Sequence, residues 1–313
     1  MIFSMPSKHW SRRRLLSEAT LGFGAIAAGA LRAGESRTHD LKPRRPHFAP
    51  RAKNVIFLYI GGGPSTIDMF DPKPVLRRYD GQPAPFEIKG RALNGSQEVM
   101  ASPWPFQKCG QTGRMVSDLL PHFQKVVDKV TFVRSMTTDR IDHSTAQFTF
   151  MTGRGFTGFP TLGAWVAYAL GSENQNLPAF VALGEGASIG SRAHSSAWLP
   201  PVYTGTEMRP DAKAQIYDIR RPEAITPAQQ RKLLGLLKEL NQEQRAQHPL
   251  DADLEARIAN YELAARMQVE ALRVADFTAE PESVRKRYGV DEKGSGKFGQ
   301  QCLMARRLVE SGV

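Results

Sequence analysis

Residues 54–72 read NVIFLYIGGGPSTIDMFDP, and the rest of the chain is organised around them. Val55 to Ile60 is an unbroken apolar run rich in β-branched and aromatic residues. Without polar alternation, it predicts a buried strand, central and parallel. Gly61, Gly62 and Gly63 follow at once and permit a sharp exit and close backbone approach to a ligand. Ser65, Asp68 and Asp71 then stand just past the carboxyl end of that strand, where open α/β sheets bind ligands. GGGPSTID is neither G-x-G-x-x-G nor a P-loop with its Lys-Ser/Thr. Pro64 also removes a backbone N–H that a phosphate cradle would use. Two readings remain for Asp68: an oxygen ligand for a divalent metal, or the cap of an ordinary βα turn.

The net charge of +11 suggests nucleic acid at first sight. Its distribution argues otherwise. Residues 1–53 hold eleven Lys/Arg against Glu18, Glu35 and Asp40, which leaves only +3 for residues 54–313. No basic face for nucleic acid is implied. The front end explains the excess. Ser11-Arg12-Arg13-Arg14-Leu15-Leu16, followed by apolar and small residues from Ala19 to Ala30, resembles a bacterial twin-arginine export signal. The expectation is a signal peptide over 1–33, engagement of the twin-arginine export machinery, and an extracytoplasmic destination in the periplasm or beyond. The apolar run is too short and too rich in Gly and Ala for a stable membrane span. Gly34 to Lys53, basic and with Pro43 and Pro46, reads as a linker. Cys109 and Cys302 lie far apart, and without a C-x-x-C cluster neither a zinc ribbon nor an iron–sulfur site is expected.

Further along, residues 80–112 read as a long loop with short strands, packed by Trp104 and Phe106. Val116–Val127 shows helical spacing, with Pro121 as a kink or late start. Thr131–Met136 predicts a second strand, which makes a parallel α/β sheet the expected fold class. The loop that follows, TTDRIDHSTAQFTFMTGR at 137–154, gathers Asp139, Asp142, His143, Ser144 and Thr145. Ser144 or Thr145 is placed to cap a helix reaching about Met151, so the cluster sits where the helix dipole favours an anion. A hydroxyl beside a histidine is also a candidate nucleophile–base pair, although neighbours in sequence rarely face each other. The bland alternative for His143 is a cap or core histidine.

A helix is expected over Thr161–Leu170, ended by Gly171, then a third buried strand at Ala179–Leu183. Gly184–Met208 reads as a loop with His194 near the rim of the site. Thr226-Pro227-Ala228-Gln229 is a capping box with Pro at the first helical position, opening a helix to about Gln247. Leu254, Ile258, Tyr261, Ala265, Val269 and Leu272 form one stripe of a helix over 252–275. These two predict an antiparallel helical hairpin inserted in the α/β fold, and a last helix is expected at Gln300–Glu310.

The blocks VIFLYIGGGPSTIDMFDPKP, RSMTTDRIDHSTAQFTFMTGR, LGAWVAYALGSENQNLPAFVAL and LEARIANYELAARMQ resemble the bacterial family of domain of unknown function 1501, over residues 54–313. Members of that family typically carry twin-arginine signals and are related to sulfatases and alkaline phosphatases. The resemblance implies a partial α/β/α sandwich of the alkaline phosphatase type with an inserted helical hairpin. It also implies a divalent-metal site at the strand ends and hydrolysis of small anionic phosphate or sulfate esters. By it, Asp68 or Asp71 would be a metal ligand, and Ser144 or Thr145 the nucleophile. His143 would bind metal or be covalently phosphorylated. Aligned on Thr152-Gly153-Arg154, the sulfatase nucleophilic cysteine falls on His143, and the Pro, Ser and Arg of that block on Thr145, Ala146 and Gln147. No formylglycine can form there, so ordinary sulfatase chemistry is not expected. The resemblance further implies later Trp-Asp-x-His, Glu-Phe-Gly-Arg-Thr-Pro and Asp-His-His blocks, so the chain is expected to be the N-terminal portion of such a domain. The rival expectation is a non-catalytic extracytoplasmic binding or scaffold protein on the same fold.

Overall fold

A computed structural model describes residues 41–85, 98–140, 142–184, 187–210, 216, 219–248 and 251–313. The twin-arginine segment lies outside the described residues. The chain mixes helices with a few short strands, and its described residues divide into two compact units, 57–146 and 41–56 with 147–313.

In the 57–146 unit, short helices α1 (Thr66–Met69) and α2 (Pro74–Arg78) precede a hairpin of β1 (Phe106–Cys109) and β2 (Arg114–Ser117). The two strands pair antiparallel, Phe106 opposite Ser117 and Cys109 opposite Arg114. The turn between them is pinned by Asp128, whose carboxylate accepts the Gln111 N–H at 2.8 Å and the Thr112 hydroxyl at 2.8 Å. The expected Val116–Val127 helix is replaced by the end of β2, a four-residue helix α3 (Pro121–Gln124) and a 3-10 turn at Val127–Lys129. Pro121 opens α3, as its fixed φ allows. Cys109, Val116 and Val127 form a small core, with Phe70, Leu120, Phe123 and Phe132 against it. The rings of Phe70, Phe123 and Phe132 meet edge to face or tilted, at 5.0–6.0 Å between centroids.

Two expected strands are absent. Val55–Ile60 runs as irregular chain, with Val55 70% and Leu58 63% exposed, and Thr131–Met136 likewise forms no strand. Apolar β-branched sequence favours a sheet, but a strand exists only beside a partner that completes its ladder. No described strand pairs with either segment.

Helix α4 (His143–Thr152) follows, and the division between the units falls after Ala146. In the other unit, α5 (Leu162–Leu170) ends at Gly171 (φ +70°), as expected. β3 (Val181–Leu183) pairs parallel with β4 (Thr206–Met208). Helices α6 (Pro227–Gln247) and α7 (Ala252–Ala275) match the predicted hairpin. The capping box at Thr226 is complete: its hydroxyl accepts the Gln229 N–H, and the Gln229 side chain accepts the Thr226 N–H. Gln230 near the start of α6 donates to Gln268 late in α7 at 2.6 Å, which sets the pair antiparallel. Helices α8 (Glu282–Tyr288) and α9 (Gly296–Glu310) close the chain. α9 starts earlier than predicted. Gly299 lets it pass the preceding turn, where a Cβ would stand 2.1 Å from the Tyr288 carbonyl oxygen.

The main core joins α7 (Leu263, Met267, Ala271, Val274) to α9 (Met304, Leu308), with Leu177 and Met208. Arg307 ties the same two helices: it donates to the Val274 and Arg273 carbonyls at 2.7 Å each and to Glu280 at 2.6 Å. A second cluster holds Ala167, Leu199, Val202, Tyr203 and Ala256. Residues expected to be linker also lie on this unit. Arg44 donates its main-chain N–H to the Leu170 carbonyl at 2.8 Å, and Leu41 accepts from Ser172 at 2.8 Å. No described helix is long and apolar enough to cross a membrane.

Candidate functional site

Asp68, Asp71, His143, Ser144 and Thr145 all fall in the 57–146 unit. Gly62 (φ +84°) and Gly63 (φ +74°) take a conformation that side chains disfavour, although the strand they were expected to leave is not formed. Asp68 then lies half-buried in the first turn of α1. Ser65, not Asp68, holds the N-cap position, so the capping alternative does not account for Asp68.

Asp71 is already engaged. Its carboxylate takes Lys73 Nζ at 2.6 Å and Arg134 Nη1 at 3.5 Å. The Lys73 hydrogen bond, with the charges of Lys73 and Arg134, holds its carboxyl below the usual range. Arg134 also donates to the Phe70 carbonyl at 2.8 Å, which fixes the turn carrying Asp71. Sequence reading missed Arg134; its one signal was a cation inside the predicted second strand.

At the second locus, Asp142 caps α4 in place of Ser144 or Thr145. Its carboxylate accepts the Thr145 N–H at 2.9 Å and also the Thr145 hydroxyl. Those bonds hold its carboxyl below the usual range. Thr145 is therefore committed to the cap. His143 and Ser144 are exposed at the start of the helix, and the Ser144 hydroxyl makes no hydrogen bond among the described residues. Of the two candidate hydroxyls, Ser144 is the one open to a ligand.

The donors present do not by themselves make a tight metal site. Asp71 is neutralised by two cations, and among the described residues no three His, Cys, Asp or Glu side chains form a group that could hold an ion. Three or four protein ligands are the norm for such sites. Of the two candidate carboxylates, Asp68 is the one that makes no ion pair among the described residues.

The same unit has a cavity of about 270 Å³, lined by Ile67, Pro72, Lys73, Arg77, Ser102 and Trp104 among others. The Ser102 hydroxyl is buried there without a hydrogen-bond partner. In the other unit, His194 is buried, as its place in a loop did not foretell. Burial pushes its pKa down, against the pull of Glu207, and its Nδ1 has no partner. Nearby, Ser196 and Thr204 share a hydroxyl hydrogen bond of 2.7 Å. Cys109 and Cys302 are both free thiols.

No curated protein and no solved structure matches the chain. Residues 52–313, from just before the glycine exit through the end of α9, match the family described as "Protein of unknown function (DUF1501)", and the chain belongs to that family.

Proposed function

We propose that the protein is an exported, hydrolase-like member of the sulfatase and alkaline phosphatase superfamily, built on its α/β/α sandwich and acting on small phosphate or sulfate esters. The observation that carries this reading is the start of α4. His143 and Ser144 stand exposed at the positive end of a ten-residue helix, with Asp142 and Thr145 fixing the cap beneath them. A helix N-terminus favours an oxyanion. Ser144 is the hydroxyl that attacks phosphorus or sulfur. Its oxygen forms the new bond, the ester oxygen leaves with the bonding pair, and His143 is the base assigned to take the hydroxyl proton. Asp68 is the residue that would help hold the divalent ion implied by the superfamily. The donor set of the described residues falls short of a complete site, so no step is routed through an ion.

The twin-arginine segment supports delivery of the folded protein outside the cytoplasm. The second reading, a non-catalytic scaffold on the same fold, is favoured by the commitment of Asp71 and Thr145 to internal contacts.

A panel of phosphate and sulfate monoesters, assayed with and without divalent cations, separates the two. Turnover that falls at least a hundredfold in Ser144→Ala but not in Thr145→Val supports the hydrolase. No turnover of any ester, with no metal retained by the purified chain, supports the scaffold. Fractionation of cells expressing the chain with and without Arg12→Lys/Arg13→Lys tests export.

A further inference from the structure

Helix α6 has 21 residues, none of them buried. Leu233, Leu236, Leu237 and Leu240 recur at i, i+3, i+4 and i+7, so they share one stripe. Leu233, Leu236 and Leu240 are 53–54% exposed, whereas Leu234 and Leu237, nearer the Gln230 side that meets α7, are 39–41% exposed. The open stripe thus runs along one flank of α6, to one side of the edge that meets α7. Lys232 and Glu239 border it on the flank opposite Gln230, each one position before a leucine of the stripe. Neither makes an ion pair among the described residues.

We infer that this stripe is a self-association surface, on which α6 packs antiparallel against α6 of a second copy of the chain. Charge selects both the occupant and the direction. A two-fold axis across the stripe sets like flanks against each other, so Lys232 meets Glu239 of the other copy, and the contact repeats by symmetry. A parallel arrangement would set that flank against Gln230, Leu237 and Gln244, with no charge to meet. The leucines supply the apolar seam and the paired charges its register. This inference is independent of the ester chemistry proposed above.

Sedimentation equilibrium of the full purified chain tests it. The expected mass rises with concentration towards that of two chains. Lys232→Glu sets like charges together twice and should weaken the association about tenfold. Lys232→Glu/Glu239→Lys restores complementarity and should return it to the starting value. Leu236→Lys should leave a single-chain mass. Should that variant lose its circular dichroism spectrum, the charge pair of variants decides alone. A single-chain mass at all concentrations overturns the inference and means that some other segment or partner covers the stripe. A double variant as weak as Lys232→Glu overturns the antiparallel pairing.

Discussion

Asp142 binds Thr145 twice, through the main-chain N–H at 2.9 Å and through the hydroxyl, and this pair defines the start of α4. Asp142→Ala should fray the first turn and release the Thr145 hydroxyl. Melting should fall, and amide exchange at 143–146 should quicken. The carboxyl is held below its ordinary range, so its contribution is present above the unfolded-state value near 3.8. That contribution is lost as pH falls through the lower folded-state value. Below that window, the variant and the parent should melt alike.

Arg307 ties α7 to α9 through three separate acceptors. Arg307→Ala would leave the carbonyls of Val274 and Arg273 without this donor and remove one of two arginines from Glu280. A loss of about 2–3 kcal/mol in urea unfolding is expected, since hydrogen bonds from charged groups are involved. Arg307→Lys should recover little of it, because an ammonium cannot span three acceptors in the plane of a guanidinium.

His194 gives a pH signature of opposite origin. Burial lowers its folded-state pKa beneath the ordinary 6.5, so the unfolded chain binds the proton more readily. Stability should therefore decline as pH drops below about 6.5 and level off once the folded-state value is passed. Unfolding followed from pH 7.5 to 5 should show this slope, and His194→Gln should flatten it.

Thr226→Ala breaks the capping box of α6. The expected cost is about 1 kcal/mol, read from chemical denaturation, with Thr226→Ser close to neutral.

The helices were legible wherever a local rule sufficed. α7 is bounded at Ala252 and Ala275 as its stripe implies, α6 starts at its Thr-Pro-Ala-Gln signal, and α5 stops at Gly171. Strands depend on a neighbour elsewhere in the chain, which apolar content cannot name. Val181–Leu183 finds Thr206–Met208, whereas Val55–Ile60 and Thr131–Met136 pair with no described strand. At the site, the positions were readable but the commitments were not. Nothing local in Asp71 reveals that Arg134 reaches it, and a choice among Asp142, Ser144 and Thr145 as cap turns on backbone geometry that composition leaves open.

Arg44 lies against the edge-to-face pair of Tyr168 and Tyr203, 5.8 and 5.9 Å from their centroids, and donates to the Tyr203 hydroxyl at 3.1 Å. A presequence clipped near Ala33 would thus leave a mature front end already strapped down. Trypsin should nick at the solvent-facing Arg51 and Lys53 well before it severs the Arg44–Arg45 bond, which makes the order of fragments a simple report on whether the strap has docked.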